Sequence, residues 1–517
     1  MMMFDKKRPR GDLLKGFVAL SMVFAIPLFA NARAEMSSEG STFRHVVFDE
    51  DNDHFFKSPA EWMDVSHLET YVDRLATGGK ATHVFFCPTG WRSSFDSRIW
   101  EPIWMGLDEY TERETYFLYY RWARNAKALF DKGIDPYQVF IRRCREKGLS
   151  PWLGPRMNDG HDGAIFGKNH PYRSTNFWRQ HREFHFDPKC DHGDWVLHNL
   201  DYRHSEVRQY ALLMLRELFE RYDMDGVYLN GRCSWFPQAV ARESEPVFEG
   251  FISEISNLRD EWSVKRGRKI LLGILACSTP EACRESGYDV AKYLREGKLD
   301  WAICGASGFK NELWRREIAP RKDAVILLSH PNVIGMGKGL PLYNPSASDL
   351  RGWVDVHAES GADGCYLYNV EYSPKTQFEI CRNGLLPKDV GGLSRSYRLW
   401  SPEKGTRLPV KMDRKLKFAV YVGNPLGTAS LLFGFRELAP SGINVRINGI
   451  KADWEYEERV VRTRFEERKK GQESLLAFEY NGRRVLFPEG TVRKGENAVE
   501  IEPCEGSEIT YLELQLN

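Results

Sequence analysis

Residues 201–230 read DYRHSEVRQYALLMLRELFERYDMDGVYLN. Val207, Tyr210, Ala211, Met214, Leu215, Leu218, Phe219 and Tyr222 recur at steps of three and four residues. That spacing predicts an amphipathic helix with one apolar face. Only Asp223 and Met224 separate it from the next segment, Asp225–Asn230 (DGVYLN). This segment is short and apolar without clean alternation, as expected of a strand buried on both faces of a parallel sheet. A helix delivered by a tight link into a doubly buried strand is half of a β/α unit.

The same unit recurs on both sides. Strands are expected at His45–Asp49, Thr82–Cys87 and Leu149–Arg156 before it, and at Ile270–Ala276, Leu299–Cys304, Ala324–His330 and Gly364–Asn369 after it. Helical spacing returns at Leu68, Tyr71, Val72, Leu75 and Ala76, and again at Leu350, Trp353, Val354, His357 and Ala358. Strands alternating with helices eight times over imply an α/β fold, a (β/α)8 TIM barrel. The links have a polarity. Helix-to-strand connections are short, whereas residues 88–135 and 157–203 after the second and third strands are long. Barrel enzymes elaborate the loops at the C-terminal ends of their strands, so a ligand site is expected at that rim.

From residue 396 the helical spacing disappears. Asn448-Gly449 and Asn481-Gly482 sit between β-like runs, and Asn-Gly favours the two-residue turn of a hairpin. Ala498–Glu502 and Ile509–Leu516 alternate as closing strands, so residues 396–517 read as an antiparallel, jelly-roll-like β-sandwich. That sandwich either binds a ligand of its own or buttresses the barrel of residues 44–395, and buttressing is the expectation. At the other end, Lys6, Lys7, Arg8, Arg10 and Lys15 precede an apolar run at Gly16–Ala30 and small residues at Ala30, Ala32 and Ala34. This is the pattern of a secretory signal peptide over residues 1–34, cleaved after Ala34 or Ala32. The expected location is therefore secreted or periplasmic, with no membrane association after cleavage.

The 517 residues carry 73 Lys+Arg against 72 Asp+Glu, a net charge of +1. Without a basic surplus, nucleic acid is not an expected partner. The ten cysteines include no CxxC pair and read as buried free thiols, with one pair such as Cys277 and Cys283 left open. Residues 187–204 concentrate Cys190, Asp191, His192, Asp194, His198 and His204 but lack zinc-ligand spacing, so no metal is expected. Gly335–Gly339 has neither P-loop nor Rossmann spacing, and no GxSxG elbow is present. The reading requires no cofactor.

Residues 201–230, together with Gly154–Asp159 (GPRMND), Gly287–Trp301 (GYDVAKYLREGKLDW) and Gly361–Asn369 (GADGCYLYN), resemble glycoside-hydrolase-like (β/α)8 barrels of secreted bacterial proteins with a C-terminal β-sandwich. The resemblance covers most of residues 44–395 in texture and short motifs. It implies a secreted glycosidase-like enzyme acting on a poly- or oligosaccharide. In such barrels the strand that ends the DG segment often finishes E-x-D, whereas here those positions are Tyr228 and Asn230. The alternative is thus a catalytically inactive glycan-binding barrel, with a polysaccharide lyase as a third reading.

Glycoside hydrolysis usually needs two carboxyl groups flanking the bond. Carboxylates near the strand ends include Asp49, Glu50, Asp51 and Asp53 after the first strand, and Asp159 and Asp162 after the third. Asp159 and Glu371, which follows the eighth strand, are the preferred catalytic pair, and Asp49 is held in reserve. Arg156, Asn158, His161, Tyr228, Asn230, Arg232, His330 and Asn369 also stand at strand ends, where they would bind sugar hydroxyls or a carboxylate. Trp91 and Trp235 are expected to present flat rings to the apolar face of a sugar. Against these readings, Asp159 would cap a turn, Glu371 would pair with an arginine, and the loop aromatics would form a small core of their own.

Overall fold

Eight parallel strands close on themselves in sequence order in the computed structural model: β1 His45–Glu50, β2 His83–Phe86, β3 Ser150–Leu153, β4 Gly226–Leu229, β5 Leu271–Ala276, β6 Trp301–Gly305, β7 Val325–Ser329 and β8 Gly364–Tyr368. The ring shuts where β8 pairs with β1, from His45 against Gly364 to Asp49 against Tyr368. Between strands run α1 Val65–Gly78, α2 Phe117–Asp131, α3 Pro136–Glu146, α4 Asn176–Gln180, α5 Ser205–Arg221, α6 Glu245–Arg266, α7 Pro280–Glu285, α8 Val290–Arg295, α9 Asn311–Ile318 and α10 Ala347–Glu359. Each barrel strand expected from the sequence is present within two residues at either end, except β3, which stops three residues early at Leu153. Arg156 instead makes an isolated bridge to Asn230.

The structure describes residues 43–51, 54–78, 80–90, 92–107, 117–159, 174–186, 199–231, 235–305, 310–319, 321–329, 347–368, 386, 393–399, 408–435, 439–469 and 472–517. The expected signal peptide lies outside the described residues, as do Trp91, His161, Arg232, His330, Asn369 and Glu371. Among the described residues, no helix is long and apolar enough to cross a membrane.

Strand alternation explains the apolar texture. Val46 and Phe48 of β1 join the large core beneath the helices, while Val47 points into the barrel with Phe85, Trp152, Tyr228, Trp301, Ile303, Leu327 and Tyr366. Both faces are buried, so both must be apolar. The barrel interior is unusually aromatic. Phe85 stacks on Trp152 at 4.8 Å between ring centres, and Trp152 meets Trp301 at 4.6 Å. Gly226 of β4 makes room for them, because a Cβ built there would lie 2.5 Å from the Trp152 ring.

The C-terminal region holds β9 Arg395–Arg398, β10 Val410–Lys411, β11 Leu416–Val422, β12 Ala429–Phe435, β13 Val445–Ile447, β14 Ile450–Lys451, β15 Trp454–Lys469, β16 Gln472–Leu486, β17 Gly495–Ile501 and β18 Glu508–Leu516. One antiparallel sheet runs β10-β18-β12-β16-β15, with β9 also on β18, and the other runs β11-β17-β13-β14. Leu416, Phe418, Val420 and Val422 of one sheet share a core with Leu431, Phe433, Leu512 and Leu514 of the other. Asn448 and Gly449, at φ of 52° and 83°, form the expected hairpin turn between β13 and β14. Asn481-Gly482 does not turn, correcting the second expected hairpin. Both residues lie inside β16, paired to Arg459 and Glu458 on one side and to Phe435 and Gly434 on the other. Ladder pairing on both sides outweighs the local preference of the dipeptide.

The barrel joins the sandwich through α10. Asp355 accepts the Tyr397 hydroxyl at 2.7 Å and the Gly423 and Asn424 amides at 2.9 Å each. Gly352 lies so close to β9 that a Cβ there would sit 2.1 Å from the Ser396 carbonyl oxygen.

Candidate active site

The last residues of β1 alternate between the helix layer and the barrel interior. Glu50 turns toward α1, where its Oε2 accepts the Tyr71 hydroxyl at 2.8 Å and lies 2.9 Å from His54 Nδ1. That carboxyl holds strand to helix. Asp49 is 2% exposed. The Tyr366 hydroxyl, from the adjacent β8, donates to Asp49 Oδ2, and the Tyr366 ring meets that of Tyr228 of β4 at 5.7 Å between centres. Burial pushes the Asp49 carboxyl up to about 8, and the charges of Asp51 and Glu50 act in the same direction. The Tyr366 hydrogen bond and the Arg156 charge oppose that rise without cancelling it. Asp49 therefore carries its proton at neutral pH, because an ionised carboxylate loses more hydration in this site than its partners return.

Two residues further on, Asp51 is held differently. Arg156 Nη2 donates to its two oxygens at 2.5 and 2.7 Å, and the Tyr368 hydroxyl donates to Oδ2 at 2.8 Å. Arg156 also reaches the Tyr368 oxygen at 2.8 Å through Nη2 and Asp159 Oδ2 at 2.8 Å through Nη1. Its Nε has no hydrogen-bond partner among the described residues. The C-terminal mouth thus gathers Asp49, Asp51, Arg156, Asp159, Tyr228, Tyr366 and Tyr368 from β1, β4, β8 and the segment after β3. Two carboxyl groups two residues apart have been given opposite environments, one dry and protonated, the other paired to a guanidinium. Such divergence is how a site divides acid and base roles between like residues.

Of the residues expected from the sequence, Asp159 reaches this end fully buried, with Arg156 as its ion-pair partner. Asn230 sits beside Arg156, and its main chain binds Met157 N at 2.8 Å. Two expectations are corrected. Asn158 does not present its amide to a ligand, because its Nδ2 and Oδ1 bind the Leu200 carbonyl and amide at 2.9 and 3.0 Å. It ties the long insertion after β3 to the rim. Trp235 is not a sugar platform: it is 3% exposed and packs edge-on against Tyr202 at 4.9 Å. Trp100 and Trp122 are likewise buried. These rings serve as the core of the insertions, since loops of that length need one to be ordered.

Tyr366 and Tyr368 are not foreseen as site residues, although one signal was present. They stand two apart in GCYLYN, which puts both on the same face of β8. Among the described residues, no three His, Cys, Asp or Glu side chains are arranged to hold a metal ion.

No family model matches the chain. A stretch of 105 residues is 29% identical to part of a 1,4-alpha-glucan branching enzyme from Prochlorococcus marinus (strain MIT 9303), which is 19% of this chain and 12% of that enzyme. The chain thus spans only a small part of the curated relative it matches. Among solved structures, the fold is similar to the PgaB (BpsB) glycoside hydrolase domain of Bordetella bronchiseptica, at 12% identity over 66% of this chain and 99% of that one, with a TM-score of 0.41. A glycoside hydrolase family 18 N-acetylglucosaminidase from Paenibacillus barengoltzii is similar at 12% identity over 66% and 100% of the two chains, with a TM-score of 0.37. The Thermotoga maritima alpha-fucosidase is similar at 13% identity over 89% and 95%, with a TM-score of 0.34. Likeness at this level assigns no reaction, and the barrel stands on its own strand order.

Proposed function

We propose that this barrel is a glycoside-hydrolase-like enzyme that acts on a poly- or oligosaccharide outside the cytoplasm by carboxyl acid–base chemistry. One observation carries the reading: a buried aspartic acid, Asp49, kept protonated to about pH 8 at the C-terminal mouth of a closed barrel. A neutral carboxylic acid at neutral pH can protonate the departing glycosidic oxygen. Arg156 and Asp51 then position the sugar ring, and Asp159 holds Arg156 in place from behind. The second carboxyl, which activates water or attacks the anomeric carbon, is assigned to Glu371, three residues beyond the end of β8 in sequence. The charged and apolar pattern of residues 1–34 supports export.

The test is turnover of a broad panel of aryl glycosides and oligosaccharides by the wild type, Asp49→Asn and Glu371→Gln. Each variant is expected to lose about 10²–10⁴-fold in kcat with an unchanged circular dichroism spectrum. Because the acid works only when protonated, wild-type kcat/KM is expected to fall as pH rises through about 8. Undiminished turnover in Asp49→Asn would remove it from the acid role.

The near-complete burial of Asp49 and Asp159 favours a second reading, a barrel that binds glycans without cleaving them. Measurable affinity for an oligosaccharide, with no product from any member of the panel, would select it.

A further inference from the structure

Outside the mouth's acidic network, the rim carries a cluster of thiols. β5 ends at Ala276, and the next residue, Cys277, is half-buried, whereas Cys283 of α7 and Cys304 of β6 are buried. The Cys277 amide donates to the Cys283 sulfur at 3.3 Å, and the two thiols are hydrogen-bonded to each other. The Tyr288 oxygen lies 3.4 Å from the Cys277 sulfur, and Ser286 Oγ lies 3.7 Å away. Ser286 gives its own proton to the Ala282 carbonyl at 2.9 Å. Toward Cys277 it therefore accepts. Cys283 S–H and Tyr288 O–H remain as donors that stay satisfied when Cys277 ionises.

The two sulfurs are not equivalent. The bond from Cys283 holds the Cys277 thiol below the ordinary thiol range against the opposing effect of burial, and Tyr288 adds to it. Burial pushes Cys283 well above that range. The thiolate is the nucleophile in disulfide chemistry, so reactivity concentrates on the one sulfur of the pair that is also partly open to solvent. Cys304, next to Ala276 in the β5–β6 register, is fully buried and is a third thiol near the pair.

We propose that Cys277 and Cys283 form a redox-active dithiol at the β5 end of the barrel rim, with Cys277 the attacking sulfur, Cys283 the resolving one, and a low-molecular-weight disulfide the oxidant. In the first step the Cys277 thiolate attacks one sulfur of the oxidant; the S–S bond of the oxidant breaks, a mixed disulfide forms and one small thiolate departs. In the second step Cys283 loses its proton and attacks the Cys277 sulfur, and the second small thiolate departs. Two protein thiols are oxidised, one small disulfide is reduced to two thiols, and the two protons released are taken up by the departing thiolates. The product ties the end of β5 to α7, five residues of chain lying between the two sulfur-bearing positions. This assignment is independent of whether the mouth hydrolyses sugars.

The reduced, desalted full chain is treated with oxidised glutathione and read by intact mass and peptide mapping. The wild type is expected to lose two hydrogens through a link mapped between Cys277 and Cys283. In Cys283→Ala the reaction is expected to stop at one glutathione on Cys277, and in Cys277→Ala to yield neither product. A persistent glutathione on wild-type Cys277, a link from Cys277 to Cys304, or no reaction overturns the pairing. A second measurement needs no variant: the iodoacetamide labelling rate of Cys277 against pH is expected to show a midpoint below the ordinary thiol value of about 8.5. A midpoint at or above that value overturns the assignment of Cys277 as the attacking sulfur.

Discussion

Between pH 4 and 8 the Asp49 carboxyl works against the fold. In the unfolded chain it ionises near its ordinary 3.8, but in the barrel only near 8, chiefly because it is buried. Over that interval the unfolded state releases a proton that the folded state must keep. Its contribution to stability is complete below about 4 and is lost as pH rises through 8. An amide has nothing to release. Asp49→Asn is therefore expected to melt progressively higher relative to the wild type as pH rises from 5 to 9, measured by thermal unfolding in matched buffers. A melting difference that does not change with pH would mean that Asp49 titrates normally. Retaining a residue that costs stability at neutral pH is what a functional site does, since its strain and desolvation are maintained for chemistry.

At the scale of elements, glycine marks where backbone and ring compete. In β4 the missing Cβ of Gly226 is occupied by the Trp152 indole, so Gly226→Ala forces a large buried ring out of a packed interior. The expected cost is about 1–3 kcal/mol, read as a lower denaturation midpoint. Gly250, on the exposed side of α6, has nothing within 4 Å of a Cβ built on it. There the same change is expected to stabilise by about 0.5–1 kcal/mol, because alanine gives up less conformational freedom in a helix. Opposite signs from one substitution separate packing from propensity. The two Asn-Gly pairs teach the same lesson from another side. Asn448-Gly449 turns between two short strands, while Asn481-Gly482 is stretched flat by neighbours on both sides.

Across the whole molecule, Asp355 is a point where barrel and sandwich share a polar contact away from water. Asp355→Ala would leave the Tyr397 hydroxyl and two buried-side amides without their acceptor. A loss of about 1–3 kcal/mol is expected, concentrated at the joint. Calorimetry is the measurement: a single wild-type transition is expected to broaden or split as the sandwich unfolds ahead of the barrel. A uniform downward shift of one sharp transition would show that the two parts do not depend on this residue for their coupling.

The order of strands and helices, the closed barrel and the sandwich after it were legible in the chain, because periods of 3.6 and doubly buried runs are local properties of neighbouring residues. So was the rim, from the contrast between short and long connections. The chemistry of the rim was not. Asp49, Asp51, Asp159 and Glu371 look alike as letters, and what separates the described three is what surrounds each one: Tyr366 from 317 positions away at Asp49, Arg156 between Asp51 and Asp159. A carboxyl group's proton depends on burial and on charges a few ångströms off, and only closing the ring of strands brings those together.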